Sequence, residues 1–199
     1  MTQKEESHKQ ESHWPLTIMS CLAALCNVII PLVLVRTLSP EEVGTFKIFF
    51  LYIMLAPLFS LASGFVSGFA YWGGQGSQGR THLQASCSFL LTLAFITTIV
   101  ALTLADPVSK LLSWPVSVGY LFALCLAPGI LHNFFEELSI AQGRVQTGAR
   151  FYAIFELLRA GLLALTAGLS ESLFAVLLVH TVVANAKLFI GVLFAIQSG

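Results

Sequence analysis

The chain has 199 residues, 56% of them hydrophobic and only 10% charged, with ten basic side chains against ten acidic ones. A soluble domain is typically about 25% charged, so water is excluded as the main solvent. A formal net charge of zero also removes the case for a nucleic-acid binder working through a basic surface.

Six mostly apolar stretches fill nearly all of the sequence. At ~1.5 Å rise per residue each is long enough to cross a bilayer as a helix. The expected fold class is all-α, a polytopic transmembrane bundle of about six spanning helices with no β-sheet, because only internally hydrogen-bonded backbone is stable in lipid. The expected organisation is a polar cytoplasmic segment over 1–14 and a helix bundle over 15–199.

In chain order, the leading MTQKEESHKQESHW is polar and mixed in charge. It lacks the basic, apolar and small-residue pattern of a cleaved secretory signal, so the first span is expected to be kept. That span runs over about 16–35, with Trp14 as an interfacial anchor and Pro31 as a kink near the far end. The second covers about 43–71 and opens on Ser39-Pro40-Glu41-Glu42. There Ser39 and Glu42 have capping-box spacing, Pro40 suits the first helical position, and both glutamates complement the helix dipole. Gly64 and Gly68, four residues apart, are candidates for close helix approach.

The segment GGQGSQGRTH reads as a glycine-rich loop. It follows no strand and lacks the G-x-x-x-x-G-K-[ST] pattern, which argues against a phosphate cradle. The third span follows over about 85–104. Next, ADPVSK reads as a loop leading to a short apolar segment that ends at Trp114-Pro115. The fourth span covers about 116–141 with Pro128 near its middle, the fifth 149–168 and the sixth 172–196. The last two are joined by so few residues that they must be antiparallel neighbours. Cys21, Cys26, Cys87 and Cys125 all fall in apolar surroundings and read as packing residues.

Lys and Arg in the joints set the orientation. Lys4, Lys9, Arg80, Arg144 and Arg150 fall on one side, and Arg36, Lys47 and Lys110 on the other. The excess favours a cytoplasmic N-terminus.

An ionisable group at the centre of a spanning helix costs at least ~2.5–3.5 kcal/mol, and so usually faces protein or water. Such groups gather in the second half: His132, Glu136 and Glu137 on the fourth span, Glu156 and Arg159 on the fifth, His180 and Lys187 on the sixth. Counted from the cytoplasmic ends, Glu136 and Glu156 lie ~9–10 Å deep, and Arg159 and Lys187 ~14–15 Å deep. Glu156 and Arg159 are three apart and share a helix face.

Arg159, Lys187, Glu156 and Glu136 are therefore the candidate binding residues of a charged layer. In it the two cations suit an anionic group such as a phosphate, and the glutamates tune them. The competing expectation is internal pairing, in which the glutamates neutralise the cations so that the helices tolerate the membrane. His132 and Glu136, four apart, resemble half a metal site without a partner motif. His180 reads as a hydrogen-bonded packing residue. No catalytic set, metal motif or cofactor fingerprint is present, so neither an enzyme nor a cofactor is expected.

The stretch Val35-Arg36-Thr37-Leu38-Ser39-Pro40-Glu41-Glu42-Val43-Gly44 resembles the R-x-L-x-P-E-E-x-G start of polysaccharide biosynthesis proteins. These belong to the oligosaccharide flippase type, the Wzx-like branch of the MOP (MATE-like) superfamily. Ala141-Gln142-Gly143-Arg144, in the joint after the fourth helix, is similar to the qG-x-r that such proteins carry there. The resemblance implies a fold of about twelve to fourteen helices in two lobes, which rock about a central cavity and pass a lipid-linked oligosaccharide outward across a bacterial inner membrane. This chain would supply the N-terminal lobe, working in the lipid bilayer with a second six-helix lobe or as a homodimer. The alternatives are a lobe of a cation-coupled, MATE-type drug exporter, and a truncated or split membrane protein without transport of its own.

Overall fold

The computed structural model describes residues 14–59, 64, 68 and 76–198, and among them every regular element is a helix. In chain order these are α1 (Trp14–Thr37), α2 (Pro40–Phe59), α3 (Gly76–Thr103), α4 (Ala105–Leu111), α5 (Val116–Ile130), α6 (Phe134–Ala141), α7 (Val145–Ser170) and α8 (Leu173–Ser198). The all-α bundle expected from hydropathy is the observed architecture. The leading polar segment up to residue 13, and the stretch from Ser60 to Gln75 apart from the helical Gly64 and Gly68, lie outside the described residues.

Among the described residues four spans are long and apolar enough to cross a membrane: Gly79–Thr103, Val116–Ala141, Val145–Ser170 and Leu173–Ala195. α1 adds a shorter apolar run over Ala24–Thr37. α2 has twenty residues, with Glu41 and Glu42 in its first turn and Lys47 a turn later. The outer surface agrees with a membrane setting. Leu32, Met54, Phe95, Leu165, Val182 and Phe189 are all more than half exposed, an apolar coat for which lipid is the fitting solvent.

Local chemistry explains two of the helix joints. At the α1–α2 corner the backbone N–H of Glu42 donates to Ser39 Oγ at 3.3 Å, and the N–H of Ser39 donates to Glu42 Oε2 at 3.0 Å. This reciprocal pair is the capping box read from the sequence. α7 and α8 are joined only by Glu171 and Ser172, with Glu171 in the left-handed region, and they pack side by side as the short joint demands.

Several sequence expectations are corrected. Residues 76–82 of GGQGSQGRTH are not loop but the first two turns of α3. ADPVSK is not a loop either. It forms α4, whose Asp106 in the first turn and Lys110 in the last complement the helix dipole. The fourth span is not one helix: α5 ends at Ile130, two residues beyond Pro128, and a turn over Leu131–Asn133 precedes α6. Asn133 holds φ 60°, a left-handed conformation that stops a helix. α1, by contrast, runs unbroken through Pro31.

At Gly64 no close approach occurs among the described residues, where a Cβ would meet nothing within 4 Å. Close approach occurs instead at Gly129, where a Cβ would fall 3.0 Å from Ile53 of α2, and at Gly148 and Gly191, which receive α6.

α1 packs along α7, α7 against α8, α8 against α5, and α5 against α2, α3 and α4. α6 fills the angle between α7 and α8. Two apolar clusters result. One joins α1, α2, α5, α7 and α8 around Leu34, Phe49, Val118, Leu163 and Leu177. The other joins α2, α3, α5 and α6 around Leu90, Ile130, Phe134 and Leu138. Members of both, Ile30 and Phe46 of the first and Leu131 and Phe134 of the second, share a cavity wall with Glu136, Glu156, Arg159 and Lys187.

Candidate functional site

A cavity of about 580 Å³ opens among α1, α2, α5, α6, α7 and α8, and its wall is mainly apolar. Pro31, Pro57 and Pro128, the helix-interior prolines of α1, α2 and α5, all line it. A proline inside a helix removes one backbone hydrogen bond and its ring crowds the preceding turn. Such sites are tolerated in membranes where the backbone borders protein or a cavity rather than lipid. The three prolines therefore belong with the cavity.

The polar part of the wall is a single band. Glu136, Glu156, Arg159 and Lys187 all line the cavity, together with Asn27, His132, Asn133 and His180. Arg159 stands at the middle of α7 and Lys187 at the middle of α8, which is the level that counting residues from the helix ends assigns to both.

Each cation is paired within the protein. Arg159 Nη2 donates to Glu156 Oε2 at 2.6 Å, and its Nε donates to the same oxygen at 3.1 Å. Arg159 Nη2 also donates to Asn27 Oδ1 at 2.5 Å, tying α7 to α1. Lys187 Nζ sits 2.7 Å from Glu136 Oε1, an ion pair without hydrogen-bond alignment. The same ammonium lies 5.0 Å from the centre of the Tyr152 ring, within cation–π range. Internal pairing and a charged layer on a cavity thus occur together. The quartet is neutral as a whole and still borders open space.

His132 and Glu136 do not share a helix face, because the Leu131–Asn133 turn separates them, yet both reach the cavity. Among the described residues no cluster of three His, Cys, Asp or Glu side chains is placed to hold a metal. His180 is packed rather than hydrogen-bonded through Nδ1, which is buried and without a partner among the described residues. Its ring stands edge-on to Phe50 at 4.5 Å and to Phe49 at 6.5 Å. Cys125 is buried beside Thr181, Sγ to Oγ1 3.1 Å, while Cys21 is exposed; all four cysteines are free thiols.

Sequence reasoning missed Asn27, Tyr152 and the aromatic lining of Phe46, Phe50, Phe135, Phe151 and Phe155. Asn27 carries the one recoverable signal. It is an amide in an otherwise apolar span, four residues before Pro31.

Chemically, the arrangement offers an apolar pocket for a greasy body and a band where an anion or a cation can replace one member of an ion pair. No protein-family model matches the chain, and neither a curated protein nor a solved structure does.

Proposed function

We propose that the chain is a membrane transport protein, one lobe of a flippase that carries a lipid-linked oligosaccharide across a bacterial inner membrane. The observation that carries this reading is the joint position of Arg159 and Lys187 on a mainly apolar cavity at mid-helix depth. That combination suits an amphiphile with an anionic head. Guanidinium and ammonium groups attract phosphate oxygens, and the low dielectric around them strengthens the attraction. The resemblance of Arg36–Gly44 supplies the finer assignment to lipid-linked sugars and to a partner lobe or second copy. The N-terminus is assigned to the cytoplasm by the distribution of Lys and Arg. The role is non-enzymatic.

The test is an export assay in cells with the gene deleted and restored, comparing wild type with Arg159→Ala and Lys187→Ala. Loss of surface polysaccharide in both variants, with normal membrane levels of protein, supports the reading. Unchanged export in both removes it.

A second reading is favoured by Glu136 and Glu156, which line the same cavity. In a cation-coupled exporter such carboxylates exchange their internal partner for a proton or a metal cation. Export that depends on a sodium or proton gradient, and fails in Glu136→Gln or Glu156→Gln, would select it.

A further inference from the structure

The two ion pairs are built differently, and the difference assigns them different work. Arg159 is braced from two sides, with two donors on Glu156 of its own helix and one on Asn27 of α1. Among the described residues Lys187 meets only Glu136 Oε1 and the face of Tyr152. Its ammonium carries three donors and has no aligned acceptor. Both cations keep spare donors, since among the described residues Arg159 Nη1 makes no hydrogen bond either, but Arg159 is tied to two helices while Lys187 is held by one carboxylate.

Its partner Glu136 sits on α6, eight residues set between two joints. The joint before α6 places Asn133 at φ 60° with its Oδ1 buried and unpartnered, and the joint after it places Gly143 at φ +75°. α6 rests its backbone on Gly148 of α7 and its Phe135 on Gly191 of α8. In lipid such apolar packing is weakly selective, because acyl chains cover an exposed Phe or Leu nearly as well as protein does. Close packing on the two glycines helps to seat α6, and the ion pair is the contact for which an anionic ligand can compete.

We propose that the Glu136–Lys187 pair is a ligand-displaceable latch. An anionic head group entering the cavity takes Lys187 from Glu136 and frees α6 to move, while Arg159 keeps α7 fastened to α1. This rests on the reading of the cavity as an anion-binding site and adds how occupancy is signalled to the surrounding helices. An intramembrane polar contact is worth ~0.6–1.7 kcal/mol, so its loss should speed local opening about three- to twentyfold.

The test uses the full chain in phosphatidylcholine nanodiscs. Phosphatidic acid, whose head is a phosphate monoester, is added as the probe. Native mass spectrometry reads bound lipid, and hydrogen–deuterium exchange reads the amides of residues 134–141. For wild type we expect preferential phosphatidic acid binding and about three- to twentyfold faster exchange in α6. Glu136→Gln should exchange fast without the probe and show little further change when it is added. Glu136→Gln/Lys187→Gln, which leaves no unpaired charge, should exchange fast and lose the preference. Binding by wild type with unchanged α6 exchange overturns the latch and leaves the cavity reading intact. No preference for phosphatidic acid in wild type overturns both.

Discussion

Asn185 of α8 donates its Nδ2 to the backbone carbonyl of Leu124 on α5, at 3.1 Å. Leu124 is the residue whose carbonyl loses its helical partner because Pro128, four positions on, has no N–H. The side chain replaces the missing donor and fixes α5 to α8 where α5 is about to end. Asn185→Leu should destabilise the protein by about 1–2 kcal/mol, the cost of an unpaired backbone group in a dry setting. In a Pro128→Ala background, where the helix can supply its own donor, the same substitution should cost markedly less. Detergent-titrated unfolding of the four variants measures this coupling, and equal costs in both backgrounds would contradict it.

The corner between α1 and α2 offers a local test. Ser39 and Glu42 satisfy each other's backbone N–H groups, so Ser39→Ala should lower stability by about 1 kcal/mol. Adding Glu42→Ala should cost less than its own single effect, because the box has already been opened. Thermal unfolding in detergent reads both.

Gly148 and Gly161 lie on the same helix in opposite circumstances. A Cβ at Gly148 would stand 3.0 Å from the Ser139 Cβ and 3.1 Å from the Glu136 carbonyl oxygen, whereas one at Gly161 would meet nothing within 4 Å. Gly148→Ala should push α6 outward and cost about 1–3 kcal/mol. Gly161→Ala should be neutral or stabilising by up to about 1 kcal/mol, through helix propensity and unfolded-state entropy. Unfolding free energies of equal sign and size at the two positions would contradict this placement of α6.

Arg159 is held by Glu156 and Asn27, with 17% of its side chain exposed. Arg159→Met leaves Glu156 unneutralised beside the cavity and should cost about 3 kcal/mol. Arg159→Met/Glu156→Gln should recover most of that loss. Lys187→Met should cost less than Arg159→Met, since Lys187 makes no aligned hydrogen bond. Unfolding measurements that reverse the order of the two single variants would contradict the division of roles.

Legibility in the sequence followed the range of the interaction. The Ser39–Glu42 box spans three residues and is written in the residues that form it, and the Glu156–Arg159 pair is likewise fixed by helical spacing. The pairing of Glu136 with Lys187 depends on how α6 sits against α8, which no local pattern specifies. Pro128 marked the region where the fourth span breaks. The break itself depends on Asn133 adopting a left-handed backbone, which asparagine tolerates but does not dictate. Residues 76–82 hid their helix behind glycines, and 105–110 behind Asp106 and Pro107. Propensity argued for loops in both places, and in the second the surrounding packing overrode it. In α4 that packing is visible: a Cβ on Gly119 would stand only 2.9 Å from the Ala105 carbonyl oxygen.

The central claim is that the mid-helix charges border an open, ligand-accessible cavity and are not merely a sealed, self-neutralised core. Thiol labelling tests it most directly. Cys21, Cys26, Cys87 and Cys125 are first replaced by alanine, and single cysteines are then placed at Lys187 and, as an outward-facing control, at Leu165, which is 58% exposed on the apolar coat. In proteoliposomes with a water-soluble, charged thiol reagent, we expect rapid labelling at 187, slowed by phosphatidic acid, and little labelling at 165. Labelling at 187 as slow as at 165, with no response to the anionic lipid, would contradict the account.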